Sequence, residues 1–435
     1  MMKTITLNHI TKIEGHAKLA LGIKHGKVTK CELSSTEGSR YFEGLVLSRH
    51  FNEAHEITSR ICGICSCAHV TAAIMAIEDA LRYTPTEQTK QLRRLMTLGE
   101  RIRSHATHLY FLSLPDYLGY ESALAMASEY KAELQNALNL IRAGNNIIKV
   151  IGARDLHPVS AAVGGWLKLP KLQQLTELKR QLITAKKDAI KTNRLFFALT
   201  YPKFESRAEC FSLVGKNRYA ILDGWFTSEK VSFNKQQYRR FLQEYQSSSS
   251  TANFVVREGH RYMVGALSRL NNNSEYLSKD AKKMLKLALK SKNLKQTLKL
   301  PSHNPYMNNI AQAIELVHCI DHAIEICKAF EDDGIKDEPV DKIKIRAGTG
   351  IAAIEVPRGT LWHEYTIDDK GIITKANIIT PTAQNLLNIQ EDIRQFVPSI
   401  IHRKKEYIIE QIEKLIRSYD PCFSCSAHFL EVKWV

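Results

Sequence analysis

Two stretches near opposite ends of the chain decide which site and fold it builds: Arg-Ile-Cys-Gly-Ile-Cys-Ser-Cys-Ala-His at residues 60–69 and Asp-Pro-Cys-Phe-Ser-Cys-Ser-Ala-His at residues 420–428. Each contains a Cys-x-x-Cys pair, a spacing that lets two sulfurs face one metal. Thiolate is a soft donor that suits zinc, copper(I), iron–sulfur clusters and low-valent nickel or iron. The sequence therefore predicts one redox metal centre on four thiolates. They are Cys62, Cys65, Cys422 and Cys425.

A structural zinc is the alternative, because two such pairs most often bind one. Zinc ribbons place their pairs roughly 15 to 20 residues apart in a small module that needs the metal to fold. Here most of a 435-residue chain separates the pairs, and a chain of this length can build its own core. Arg60, His69, Asp420 and His428 also flank the cysteines, and such groups tune proton and electron chemistry rather than close a structural site.

Composition excludes several protein classes. Nine cysteines are an odd number for a disulfide framework and indicate a reducing compartment. No apolar run approaches the roughly 18 to 20 residues of a membrane span, and the N-terminus lacks the apolar segment of a secretory signal, so we predict a cytoplasmic protein. The net charge of +16 comes with scattered lysines and no nucleic-acid-binding motif. We therefore predict no nucleic-acid partner, and an acidic protein partner stays open.

The apolar periodicity predicts an α+β fold that is predominantly helical. A bundle of long helices should carry small β layers near the N-terminus and around residues 343–380. We expect one interwoven domain, because no repeat and no clean linker interrupts the chain. The predicted helices are 72–81, 89–114 ending at Pro115, 121–150, 171–198, 307–330 and 402–418.

The order and placement of the two cysteine motifs resemble those of the nickel–iron hydrogenase large subunit, most closely its soluble bidirectional and sulfhydrogenase-type group. Three further segments are similar to motifs of that family, so the resemblance spans nearly the whole chain. They are Ile13-Glu14-Gly15-His16, Pro357-Arg358-Gly359 and Pro381-Thr382.

The resemblance implies a nickel ion on all four thiolates, with Cys65 and Cys425 bridging to an iron that carries carbon monoxide and cyanide. Hydrogen bonds from Arg358 and Thr382 would hold the cyanides. The implied reaction is reversible heterolytic cleavage of hydrogen, with Cys422 as first proton acceptor and Glu14 as the relay.

Other roles implied by the resemblance concern the surroundings of the metals. Asp420 and Arg358 would form a polar canopy, and Asp116 looks like a further canopy aspartate, with a helix-end role as the alternative. His428 would help to hold a magnesium or second iron ion, with Glu43 as the candidate carboxylate and a plain surface glutamate as the alternative.

Two histidines, His105 and His108, lie one turn apart on a predicted helix. They suggest metal ligands, but four thiolates already fill the nickel site, so we interpret them as buried histidines that bond to other protein groups.

The resemblance also implies partners. Within the chain, residues 1–428 would form the large-subunit domain and 429–435 an extension removed by a maturation protease after nickel insertion. With no further cysteine set for clusters, electrons would pass to an iron–sulfur small subunit and, through diaphorase-type subunits, to a soluble carrier such as NAD(P). Nickel-insertion proteins would serve maturation. A non-catalytic complex-I-like relative remains the second alternative, although such relatives lack the four cysteines.

Overall fold

Helices form where apolar side chains recur every three to four residues, and strands form where they alternate. The computed structural model, which describes residues 2–38 and 41–427, has the predicted mixture of long helices and small sheets. The helices are α1 (Phe42–Val46), α2 (Ala54–Thr58), α3 (Ser66–Ala80), α4 (Glu87–Thr107), α5 (Leu114–Leu118), α6 (Lys131–Gly152), α7 (Leu172–Ala198), α8 (Tyr238–Phe241), α9 (Ala266–Asn273), α10 (Lys279–Lys290), α11 (Asn308–Asp333), α12 (Pro381–Ile400), α13 (Lys405–Ser418) and α14 (Phe423–Ser426).

The strands form separate small sheets rather than one large one. Antiparallel β1 (Met2–Leu7), β2 (Ala17–Lys24) and β3 (Lys27–Ser35) make the N-terminal layer. The remaining strands are β4 (Ala161–Ala162), β5 (Gly165–Trp166), β6 (Glu209–Cys210), β7 (Ser212–Val214), β8 (Trp225–Thr227), β9 (Ser232–Phe233), β10 (Leu242–Gln246), β11 (Asn253–Arg257), β12 (Tyr262–Met263), β13 (Gly348–Val356), β14 (Gly359–Ile367) and β15 (Ile373–Ile379). The last three are the predicted second layer, again antiparallel.

Glycines set how closely the elements that carry the site approach each other. Helices α4, α6, α7 and α11 pack into the bundle, and α3 lies on β13 and β14. A Cβ on Gly144 of α6 would lie 2.5 Å from the Gly99 oxygen of α4. A Cβ on Gly350 of β13 would overlap the backbone of α3 at Ala76 and Ala80. Only glycine therefore lets the sheet approach the helix that begins at the first cysteine pair.

Several predicted boundaries were wrong. The buried helix begins at Ser66 rather than 72, directly after the first Cys-x-x-Cys pair. The next helix does not end at Pro115: a π-helical segment, His108–Ser113, leads into α5, where Pro115 occupies an early position at which its missing N–H is harmless. The helix predicted at 121–150 begins only at Lys131.

The core is continuous, as a single domain requires. One apolar cluster extends from Ile5 in β1 to Cys425, and a smaller one gathers around Phe226 and Trp362. Within 2–38 and 41–427, no helix combines the length and apolar character needed to cross a membrane.

Candidate metal centre

The four predicted cysteines come together in the interior. Their sulfur atoms lie within 4.8 Å of one another, and all four residues are buried. Cys65 Sγ lies 3.3 Å from Cys62 Sγ and 3.4 Å from Cys425 Sγ. Cys62 Sγ and Cys422 Sγ are 3.7 Å apart. Cys422 and Cys425 are joined as a disulfide in this structure. The two chain ends thus meet at one four-sulfur cluster.

Local structure places each pair at the start of a helix. Cys65 is the N-cap of α3, and Cys422 is the N-cap of the short α14. Helix N-termini favour negative charge, which suits thiolates. The contact with Cys65 lowers the pKa of Cys62, whereas the contact with Cys62 and burial raise the pKa of Cys65. The two sulfurs of the first pair thus lie in direct contact and influence each other's ionisation.

Two charged residues of α4 hold the first loop. Glu100 Oε2 accepts hydrogen bonds from the backbone N–H groups of Cys67 (2.7 Å) and Ala68 (3.2 Å) at the first turn of α3. Burial raises the pKa of Glu100. Arg103 donates to the backbone oxygens of Ile64 (2.6 Å) and Asp155 (2.7 Å). Neither residue was predicted from the sequence, because their partners are backbone groups far away along the chain.

Arg358 and Asp420 lie beside the cluster as a pair. Arg358 Nε donates to the Asp420 backbone oxygen (2.8 Å), and Nη2 lies 3.0 Å from Asp420 Oδ1. Arg358 Nη1 is 3.8 Å from Cys65 Sγ. Burial alone would lower the pKa of Arg358, but Asp420 and the nearby cysteine sulfurs raise it above its usual value. A permanently charged guanidinium thus faces the sulfurs.

Arg269 supports the loop that carries Arg358, and the sequence analysis missed it. Its guanidinium donates to the backbone oxygens of Val356 (2.8 Å) and Pro357 (2.9 Å). It also pairs with Glu315 (2.6 Å) and Glu355 (3.0 Å) in a fully buried network. The loop therefore depends on a charge network anchored in α9 and α11.

Glu14 reaches the cluster from the loop between β1 and β2. Its Oε2 lies 2.8 Å from Cys422 Sγ and accepts a hydrogen bond from Ser424 N (3.2 Å). Its backbone oxygen accepts from Phe423 N (2.9 Å), so the two motifs pair as a short β-bridge. The carboxylate is thus held at proton-transfer distance from one sulfur.

Thr382 stands at the start of α12. Its Oγ1 accepts a hydrogen bond from the Cys422 backbone N–H at 2.8 Å. It also lines a cavity beside the sulfurs, together with Cys65, Cys425, Arg358 and several apolar side chains. The other apolar lining residues are Val356, Pro357, Leu361 and Pro381. This small cavity thus adjoins three of the four cysteines, Cys65, Cys422 and Cys425.

Glu43 is half-buried beside β15, where its Oε1 accepts a hydrogen bond from Ile378 N at 2.5 Å. Burial, with a contribution from Glu244, raises the pKa of Glu43 to about 8. His428, the other predicted ligand of a second ion, lies outside the described residues, as do residues 429–435. The structure therefore gives the surroundings of only one of these two residues.

Asp116 lies apart from the sulfurs in a different ion-pair cluster. Both of its oxygens are 2.9 Å from Arg417 Nη1, and Lys12 Nζ is 2.5 Å from Oδ1. The link to Asp420 is indirect, through the Arg417 backbone oxygen, His108 and Gln312. Asp116 is thus placed to anchor α13 behind the site.

His105 and His108 are buried and bonded to protein groups, as predicted. His105 Nε2 contacts Glu315 at 2.7 Å, and His108 contacts Gln312 Oε1 at 2.5 Å. Neither joins the sulfur cluster. Gln312 in turn donates to Asp420 Oδ2 at 3.1 Å. His108 therefore helps, through Gln312, to fix Asp420 beside the metal centre.

The four sulfurs and the groups around them indicate which metals this site could hold. Four buried sulfurs suit a soft metal and exclude a magnesium or calcium site at this position. A closed zinc site would need no carboxylate on one sulfur, no guanidinium beside another and no adjoining cavity. The residues present fit a soft redox metal, and a small cavity adjoins the sulfurs.

Comparison with known proteins gives consistent results. The chain matches the family described as nickel-dependent hydrogenase over residues 40–143 and 227–428. It is 34% identical to the sulfhydrogenase 1 subunit alpha of Pyrococcus furiosus, covering 98% of both chains. It is 31% identical to the sulfhydrogenase 2 subunit alpha of the same organism, covering 98% of this chain and 100% of that protein.

A solved structure has the same fold. It is an NAD+-reducing NiFe-hydrogenase in the H2-reduced state, with a TM-score of 0.86 at 23% identity, covering 98% of this chain and 99% of that one.

Proposed function

The chain belongs to the nickel-dependent hydrogenase family, as a catalytic large subunit of the nickel–iron type, and from this we propose how its buried residues take part in the cleavage of hydrogen. The observation that carries the proposal is the four-sulfur cluster with a carboxylate 2.8 Å from one sulfur. Heterolytic cleavage needs an electron-pair acceptor and a base, and this arrangement offers a place for both.

Nickel would be held by all four thiolates, with Cys65 and Cys425 shared with iron. When bound, the two metals supply the Lewis acidity that polarises hydrogen and take up its electrons. Arg358 and Thr382, which line the cavity beside the sulfurs, would donate hydrogen bonds to the cyanides of an iron that also carries carbon monoxide. Support comes from the permanent charge of Arg358, which suits a buried anion.

Proton movement would start at Cys422 Sγ and continue to Glu14 Oε2. The carboxylate can rotate only within limits, because Ser424 N donates to the same oxygen. Arg358 and Asp420 would keep the opposite side of the cluster polar while excluding water, as both are buried. Asp116 would not contact the metals; it would hold Arg417, which is linked to Asp420 through His108 and Gln312.

A second ion, magnesium or iron, would bind Glu43 and His428. A bound cation would favour the ionised form of Glu43, whose pKa is otherwise raised by burial and by Glu244.

A large subunit of this family pairs with a small subunit. We extend this to an iron–sulfur small subunit that receives the electrons and to diaphorase-type subunits that pass them to a soluble carrier such as NAD(P), in the cytoplasm. The solved structure of the same fold is that of an NAD+-reducing hydrogenase, which supports NAD(P) as the carrier. Maturation would involve nickel-insertion proteins and a protease that removes 429–435.

The test is metal analysis and infrared spectroscopy on the purified complex. Nickel with iron, and bands of metal-bound carbonyl and cyanide, are expected. Cys422→Ser should abolish hydrogen oxidation, whereas Cys327→Ser, a control at a buried cysteine outside the cluster, should not. Zinc alone would favour the structural alternative, no metal the complex-I-like one, and a fully active Cys422→Ser complex would contradict the assignment of this residue.

A further inference from the structure

A charged cleft lies away from the metal centre, between the C-terminal end of α3, the N-terminal half of α4 and the segment around residues 218–235. Five basic and four acidic side chains line it. The basic ones are Lys90, Arg93, Arg94, Arg218 and Lys235, and the acidic ones are Glu78, Asp79, Glu87 and Asp223. The cleft therefore holds one more positive than negative charge.

The acidic side chains are already paired. Glu78 accepts both Arg93 Nη atoms at 2.7 Å. Asp223 is paired with Arg218 at 2.5 and 2.6 Å.

The remaining two acids follow the same pattern. Asp79 contacts Lys235 Nζ at 2.8 Å, and the exposed Glu87 lies 3.9 Å from Lys90 Nζ. Among the described residues, none of these carboxylates forms a hydrogen bond or a close ion pair with Arg94, although the charges of Asp223 and Glu87 act on it.

Arg94 is only 8% exposed, yet within residues 2–38 and 41–427 it has no hydrogen-bond or ion-pair partner. Burial, and then the charge of Arg218, lower the pKa of Arg94, whereas the charges of Asp223 and Glu87 act in the opposite direction. Guanidinium nevertheless stays charged in proteins, and a buried charge without a partner is costly. The Arg94 nitrogens are not among the sealed polar atoms of the described residues, so this guanidinium, which bonds to no protein group there, is open to an anion that enters the cleft.

We propose that this cleft is an oxyanion-binding site in which Arg94 makes a bidentate contact with a phosphate group. The planar fork of guanidinium matches the spacing of phosphate oxygens. Arg218, Lys90 and Lys235 add positive charge at the rim, and a phosphate carries about 1.5 to 2 negative charges at neutral pH, more than a carboxylate. The phosphate is either free in solution or part of a phosphate monoester such as a nucleotide.

The test is equilibrium dialysis of the intact hydrogenase complex against labelled inorganic phosphate, at constant ionic strength in chloride. Saturable binding of one equivalent per large subunit is expected. Arg94→Met should weaken it at least about tenfold, because a charge-assisted bidentate contact is lost. Arg194→Met, at an exposed arginine outside the cleft, should leave it unchanged. Competition by AMP distinguishes the sources: tighter binding of AMP indicates a monoester, and equal or weaker binding indicates free phosphate.

A second readout separates the site from a folding defect. Without phosphate, Arg94→Met should melt at the same temperature as wild type or higher, because an unpaired buried charge is removed. Phosphate should raise the melting temperature of wild type and Arg194→Met but not of Arg94→Met. The proposal is overturned if the intact complex binds no phosphate, as expected if a partner's acidic side chain fills the cleft. Binding that is unchanged in Arg94→Met, or a drop in the melting temperature of the variant, overturns it as well.

Discussion

Replacing Glu14 by glutamine isolates proton transfer from every other function of the site. Glutamine keeps the side-chain length and an oxygen that can accept from Ser424 N, now 3.2 Å from Glu14 Oε2. The β-bridge to Cys422 uses only backbone atoms and should persist. What disappears is a group that can take a proton from Cys422 Sγ, 2.8 Å away.

The expected loss follows from that single change. Positioned general bases contribute about 10²- to 10⁴-fold to a rate, so the barrier should rise by about 3 to 5 kcal/mol. Hydrogen oxidation with a viologen dye, and exchange between D2 and water without any acceptor, should both fall by this factor. Exchange needs the proton to leave but not the electrons, so a matching loss in both assays assigns the defect to the proton route.

Nickel and iron content and the infrared bands should remain those of wild type. The control is Glu37→Gln, because Glu37 is a neighbouring carboxylate that bonds His16 N at 2.7 Å and not a sulfur. It should keep most of the activity. A metal-loaded Glu14→Gln complex that retains more than about a third of wild-type exchange would refute the relay, since a general base is worth at least about a hundredfold.

Two further predictions concern stability. Gly350→Ala should lower the unfolding free energy by about 1 to 3 kcal/mol or more, because its Cβ would overlap the backbone of α3. The control is Gly44→Ala, at an open position, which should be tolerated. Equal melting temperatures for the two variants would contradict this packing. Burial, and then the charge of His322, lower the pKa of His318 to about 3, so between that value and about 6.5 the unfolded chain binds a proton that the folded chain excludes. The contribution of His318 to stability is then fully present above pH 6.5 and falls by about 1.4 kcal/mol per unit below it. Burial also lowers the pKa of His55, His105 and His322 to about 4, so His318→Gln should reduce the slope of unfolding free energy against pH by this amount rather than remove it. The exposed His402→Gln should leave the slope as it is, and an unchanged slope in His318→Gln would refute the assignment.

The sequence predicted those parts of the site whose signal is local. A Cys-x-x-Cys pair indicates metal chemistry on its own, and the motifs around Glu14, Arg358 and Thr382 are each contained in a few consecutive residues. The structure places all three of these residues in contact with the sulfurs or their loops. The long helices were likewise visible as apolar periodicity.

The rest depends on pairs that are far apart in the sequence. Nothing near Glu100 indicates that it caps the helix starting at Ser66, because the partner backbone is more than thirty positions away. Helix α12 was missed since it begins and nearly ends with proline and buries polar side chains such as Gln384 and Asn388. Its polar residues face other protein groups rather than water, which inverts the pattern used to recognise an amphipathic helix.

The buried charges around Arg269 are better explained by positioning than by stability. An apolar cluster of the same volume would often stabilise a fold as well as a buried ion-pair network does. It would not fix the two backbone oxygens at Val356 and Pro357, which Arg269 holds at 2.8 and 2.9 Å. Those two residues directly precede Arg358, whose own charge faces Cys65. Burying the charges of this network costs free energy of desolvation, but the network holds the Arg358 guanidinium in one orientation beside the metal centre. A fixed orientation matters there because a buried site has no water that could reorient to stabilise charge during the reaction.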